Sequence, residues 1–144
     1  MKTKVAAIYG KQDVRIREFE LPEISDNELL VSVISDSVCL STWKAAKLGS
    51  EHKRVPDDLE NHPVITGHEC AGVIVEVGKN LTDKYKKGQR FVLQPAMGLP
   101  SGYSAGYSYE YFGGNATYMI IPEVAINLGC VLPYHGSYFA AASL

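Results

Sequence analysis

The sequence predicts a mainly-β barrel carrying one or two short helices, and three observations predict it. Short runs rich in Val, Ile, Leu and Tyr recur with period-two alternation, Gly- and Pro-marked corners separate them, and few stretches show an apolar stripe at helical spacing. The 144 residues suit one domain with a sizeable core.

The elements follow in order. Val5 to Tyr9 and Val14 to Phe19 read as two strands of a hairpin joined by the polar turn Gly10-Lys11-Gln12-Asp13, and Leu21-Pro22-Glu23 ends the second. Glu28 to Val38 alternates Leu, Val and Ile with Ser, the pattern of a strand that delivers Cys39 at its end. Ser41 or Thr42 is suited to cap a short helix through Trp43, Ala45, Ala46 and Leu48, with Gly49 as its stop. Ser50 to Asn61, bounded by Pro56 and Pro63, reads as a surface loop. Val64-Ile65, Val73 to Val77, Arg90 to Gln94 and Ala116 to Ile121 read as strands, and Leu128 to Leu132 as a further one. Ala140 to Leu144 resembles the start of a helix of small residues.

Composition narrows the function classes. With 46% hydrophobic residues and a formal charge of −2, the chain reads as soluble and globular, and no apolar run approaches the ~18 residues of a membrane helix. The 14 basic residues are scattered, and Lys84, Lys86, Lys87 and Arg90 read as a solvated turn, so neither nucleic acid nor membrane is expected as a partner. No secretory signal follows Met1, and three widely spaced cysteines favour a reducing cytoplasm. Cys70 and Cys130 sit in apolar runs and read as small buried hydrophobes.

The most informative stretch is Gly67-His68-Glu69-Cys70-Ala71-Gly72, followed by Val73 to Val77 and Gly78. An imidazole beside a carboxylate at a Gly-marked corner suits a zinc site, although a His-Glu pair standing alone is more often a solvated loop or a satisfied core histidine. The pattern G-H-E-x-x-G-x5-G is similar to the signature of the zinc-containing medium-chain alcohol and polyol dehydrogenases, and every fixed position is filled. About thirty residues upstream, Cys39-Leu40-Ser41-Thr42 resembles the same family's cysteine with a hydroxyl two residues later.

The resemblance implies a GroES-like barrel over residues 1–144, with Cys39 and His68 as ligands of a catalytic zinc. It places Glu69 beside the metal, as a ligand or just behind the ligands, and Ser41 at the first step of a proton relay. Ser41 reads equally as a helix cap, and the two roles are compatible. A third ligand, a Cys, Asp or Glu, is expected beyond Leu144. The hydride carrier, NAD or NADP, is expected to be held mainly by a nucleotide domain, because no G-x-G-x-x-G fingerprint occurs here. The chain is therefore expected to be a fragment ending near a domain border, inactive alone, from a protein that is homo-oligomeric at full length.

Pro95 to Asn115 holds seven glycines or prolines and four tyrosines, at 103, 107, 109 and 111, and no cysteine. Many members of the family carry four cysteines there for a structural zinc, so no second zinc is expected. The tyrosines are expected to pack or to form a subunit contact, with the substrate entrance as the alternative. After the relay hydroxyl come Thr42-Trp43-Lys44, where the family commonly has Asp or His first. Trp43 suits a sugar face and Lys44 or Lys47 a phosphate, although lysines on a solvated helix face read the same way. The resemblance extends to the sorbose-1-phosphate reductase and polyol dehydrogenase branch, which implies a small-molecule alcohol, polyol or sugar phosphate as substrate. The alternatives are a zinc-free quinone-type reductase domain and a non-catalytic GroES-like binding module.

Overall fold

Residues 1–94, 104–107 and 111–141 are described by the computed structural model. Among them the chain is mainly β, with eight strands in two antiparallel sheets and three short α-helices, one more than expected.

Alternation in β1 (Lys2–Gly10) turns Thr3, Val5 and Ala7 inward, and a two-residue turn returns the chain as β2 (Asp13–Glu20), which is exposed on both faces. Gln12 adopts the left-handed backbone region (φ 58°) that this tight turn needs. The far edge of β1 pairs with β4 (Val64–Ile65), giving the sheet order β2-β1-β4.

The second sheet is built on β3 (Leu29–Asp36) and β5 (Cys70–Val77). It is completed by β6 (Arg90–Leu93), β7 (Tyr118–Ile121) and β8 (Val131–Pro133), in the order β7-β3-β5-β6-β8. Gly72 sits where these two central strands touch. A Cβ there meets the Ser32 carbonyl oxygen at 2.0 Å, so only glycine allows the pairing. Leu29, Val31, Ile74, Phe91, Phe112, Met119 and Ile121 form the main core and are almost fully buried. Each such side chain stabilises the fold by about 1.5–3 kcal/mol through removal from water.

The segment Asn115 to Thr117 joins the two sheets. Ala6 donates to the Asn115 carbonyl at 2.9 Å, Thr117 donates to Lys4 at 3.0 Å, and Val33 donates to Thr117 at 3.1 Å. Val5 and Ala116 form a bridge between the same two sheets.

α1 (Leu40–Leu48) starts two or three residues earlier than a cap at Ser41 or Thr42 predicts. Cys39 holds the cap position in extended conformation, and its carbonyl accepts the Thr42 and Trp43 N–H groups at 3.0 and 3.3 Å. The stretch read as a surface loop opens with a 3₁₀ turn (Gly49–Glu51) and buries Val55 and Leu59. With Ile8, Ala45, Val64 and Tyr107 they form a second cluster that pins α1 against the first sheet. α2 (Glu123–Asn127) follows Pro122, which ends β7 and caps the helix, and α3 (Tyr138–Ala141) closes the described chain. No helix among the described residues is long and apolar enough to cross a membrane.

Candidate metal centre and active site

The register of β3 against β5 puts Asp36 opposite Cys70. Residues just after Asp36 and just before Cys70 therefore meet at the same end of the strand pair. The Ser37 N–H donates to the Glu69 carbonyl at 3.2 Å, and the Glu69 N–H donates to Asp36 Oδ1 at 3.2 Å. The Ser37 hydroxyl closes a short hydrogen bond onto Glu69 Oε2. Gly67 makes the corner, with φ 93° and no room for a Cβ, which meets Asp36 Oδ2 at 1.9 Å.

From this frame Cys39, His68 and Glu69 each offer a ligand atom, and the three atoms lie within 4.8 Å of one another. The first turn of α1 folds Ser41 back among them. Its Oγ donates to Cys39 Sγ at 3.0 Å and lies 3.2 Å from His68 Nε2. Glu69 Oε1 is 3.9 Å from the same nitrogen.

The His68 side chain is 11% exposed, its Nδ1 is buried without a hydrogen-bond partner, and its ring stacks on Tyr107 at 5.9 Å. Burial pushes the imidazole pKa down, Glu69 pulls it up, and Arg54 pushes it down again. The neutral form is the one that ligates a metal. Asp36 is a buried carboxyl whose pKa is raised from 3.8 to about 6 by desolvation, against hydrogen bonds from the Glu69 and Ser37 backbones and with a further upward push from the charge of Glu69.

The donor set fits zinc, which takes thiolate, imidazole and carboxylate together. A tetrahedral ion sets its ligand atoms about 3.5 Å apart. Cys70 and Cys130 lie in the main core instead, with thiol pKa values raised by burial.

Trp43 stands on another face of α1. Lys47 lies 4.9 Å from its ring, and both line a surface groove with Gln12, Val14 and Ala46. Lys44 is exposed and acts electrostatically on His52. Among the tyrosines, Tyr107 is buried against His52 and His68, and Tyr111 packs edge-on to Phe19 at 6.5 Å. Tyr103 and Tyr109 lie outside the described residues. Sequence reasoning missed Asp36, Ser37 and Arg54 as neighbours of the site, while Tyr107 came into view only as one of four tyrosines whose alternative role was the substrate entrance. A carboxylate closing a strand otherwise made of Leu, Val, Ile and Ser was the one available signal.

Residues 25–129 match the alcohol dehydrogenase GroES-like domain family. The chain is 70% identical over 143 residues to mannitol-1-phosphate 5-dehydrogenase of Aliivibrio fischeri, covering 99% of this chain and 34% of that protein. It is 42% identical over 143 residues to L-sorbose 1-phosphate reductase of Klebsiella pneumoniae, covering 99% and 35%. Among solved structures, 2R,3R-butanediol dehydrogenase from Bacillus subtilis superposes with a TM-score of 0.74 at 26% identity, covering 97% of this chain and 43% of that one. The chain thus spans about a third of the length of the curated relatives it matches.

Proposed function

Because the chain belongs to the alcohol dehydrogenase GroES-like domain family, we propose that it is the catalytic domain of a zinc- and nicotinamide-dependent dehydrogenase acting on a polyol phosphate. The convergence of Cys39, His68 and Glu69, with the Ser41 hydroxyl in reach of the first two, carries this reading.

Cys39, His68 and Glu69 are the residues that would hold the metal. When bound, zinc supplies Lewis-acid stabilisation of negative charge developing on an alcohol oxygen. Ser41 handles the proton. Its hydroxyl both accepts and donates, so it can take the proton of a substrate alcohol and pass one onward. The Ser37 hydroxyl and the Asp36 carboxylate fix the side chain and backbone of Glu69, so its carboxylate keeps one orientation. Tyr107 walls His68 from water on one side.

Both sugar-phosphate relatives are named for six-carbon monophosphates, and the higher identity to the mannitol 1-phosphate enzyme favours a hexitol phosphate over sorbose phosphate. The test is elemental analysis of the purified full-length protein, beside Cys39→Ala and His68→Ala variants, with dinucleotide reduction followed on mannitol 1-phosphate and mannitol. About one zinc per chain, lost in both variants together with activity, is the expected result. A full-length wild type without zinc overturns the reading.

A further inference from the structure

Tyr107 ties the metal centre to the basic pair Lys53-Arg54 in the loop after α1, whose acidic residues Glu51, Asp57, Asp58 and Glu60 flank that pair in sequence. Its ring stacks on His68 at 5.9 Å and on His52 at 5.4 Å, and the Arg54 guanidinium lies over the same ring at 5.5 Å. The loop is held in place on both sides of Arg54. The Arg54 N–H donates to His52 Nδ1 at 3.2 Å, the Val55 N–H donates to the His52 carbonyl at 2.9 Å, and Val55 and Leu59 are buried. Lys44 reaches the same region from α1. It stands three residues after Ser41 and so shares a helix face with it. Arg54 acts on both imidazoles, and Lys44 and Lys53 add their charge at His52.

No carboxylate among the described residues pairs with Arg54 or Lys44. A guanidinium beside a site for a divalent cation works against metal binding by repulsion. The arrangement becomes favourable when the ligand itself brings two negative charges between them. A phosphate monoester does so, and it matches the planar fork of arginine.

We propose that Arg54, assisted by Lys44, binds the phosphate of the substrate while the reacting alcohol sits at Cys39, His68 and Ser41, so that this loop selects phosphorylated over plain polyols. The inference rests on the polyol-phosphate reading above and names the residues that enforce it. Tyr107 contacts both groups, with the guanidinium 5.5 Å and the His68 ring 5.9 Å from its own ring, so a phosphate carried several carbons from the reacting hydroxyl comes within reach of Arg54.

The test measures kcat/KM of the full-length protein for mannitol 1-phosphate and for mannitol, and KM for the dinucleotide, in wild type, Arg54→Gln, Arg54→Lys, Lys44→Gln and Lys47→Gln. Arg54→Gln is expected to lower the ratio of the two kcat/KM values by about 10–100-fold, the loss of a charge-assisted bidentate contact. Arg54→Lys retains part of the preference, Lys44→Gln lowers it less, and Lys47→Gln, whose charge lies on Trp43, leaves the ratio within about twofold. A ratio unchanged in Arg54→Gln overturns the proposal, as does an equal loss in Lys47→Gln. A rise in dinucleotide KM with the ratio unchanged overturns it too, assigning the guanidinium to a cofactor phosphate. A zinc-containing, active wild type with no preference for the phosphorylated substrate overturns the polyol-phosphate reading itself.

Discussion

Asp36 accepts the backbone N–H of Glu69 at 3.2 Å through Oδ1, while Oδ2 is buried without a hydrogen-bond partner. A carboxylate held this way orders its neighbour and is itself poorly solvated. Folding raises its pKa from 3.8 to about 6, so between those values the folded state binds more protons than the unfolded one. Stability from this group is complete below 3.8 and is lost as pH rises to about 6.

In the metal-free chain, Asp36→Asn is therefore expected to gain on wild type as pH rises from 3.5 to 7, by about 3 kcal/mol across that span. Urea midpoints of both proteins at the two pH values, with chelator present, measure it. A difference that stays constant with pH would show that Asp36 is as well solvated as an ordinary surface carboxylate.

Ser41 has no side-chain role in capping α1, and its hydroxyl sits in the centre. Ser41→Ala is expected to keep zinc and lower kcat of the full-length protein by about 10²–10⁴-fold, while Ser41→Thr recovers most of it. Parallel zinc analysis and turnover distinguish this from a loss of metal. Zinc lost along with turnover would make Ser41 a structural support for Cys39.

Tyr107 fills the second cluster and backs His68. Tyr107→Ala is expected to destabilise by about 3–5 kcal/mol and to weaken zinc retention, whereas Tyr107→Phe, which keeps both ring stacks, stays within about 1 kcal/mol. Denaturant midpoints and zinc content check both variants.

Gly72 permits the contact of β3 with β5. Gly72→Ala is expected to cost about 3 kcal/mol or more, because backbone rather than a movable side chain blocks the added Cβ. The variant should also lose zinc, since the same strand pair brings Asp36 and Cys70 together. A midpoint equal to wild type would refute the close approach.

The strands, the Gly67 corner and the glycine frame were legible because each is written locally, in alternation or in a short motif. The hydroxyl at Ser41 and the donors at Cys39, His68 and Glu69 were marked by two short motifs that resemble those of a known family, but what brings them together is the cross-strand register, which no local pattern states. Trp43 shows the limit. It follows Ser41 by two residues, and on a helix that is about 200° of rotation, so nearness in sequence puts it on the opposite face. Tyr107 and Tyr111 come from one tyrosine-rich stretch, and only long-range packing sends one to His68 and the other to Phe19. α2 is five residues long, too short to declare a period, and Pro122 serves equally to end a strand and to start a helix.

The join at Asn115 to Thr117 sets an order of events in folding. It binds Ala6 and Lys4 across more than a hundred residues, and the same segment holds the approach to the centre, since Asn115 donates to Thr66 and Gly114 to Gly67. Closing so long a loop is entropically slow, and chains dominated by such pairings fold in milliseconds to seconds. A growing chain can form the β1–β2 hairpin at once, yet the first sheet remains unsealed until residue 117 is available. The surroundings of His68 are thus completed only after residues 114–117 have joined both sheets.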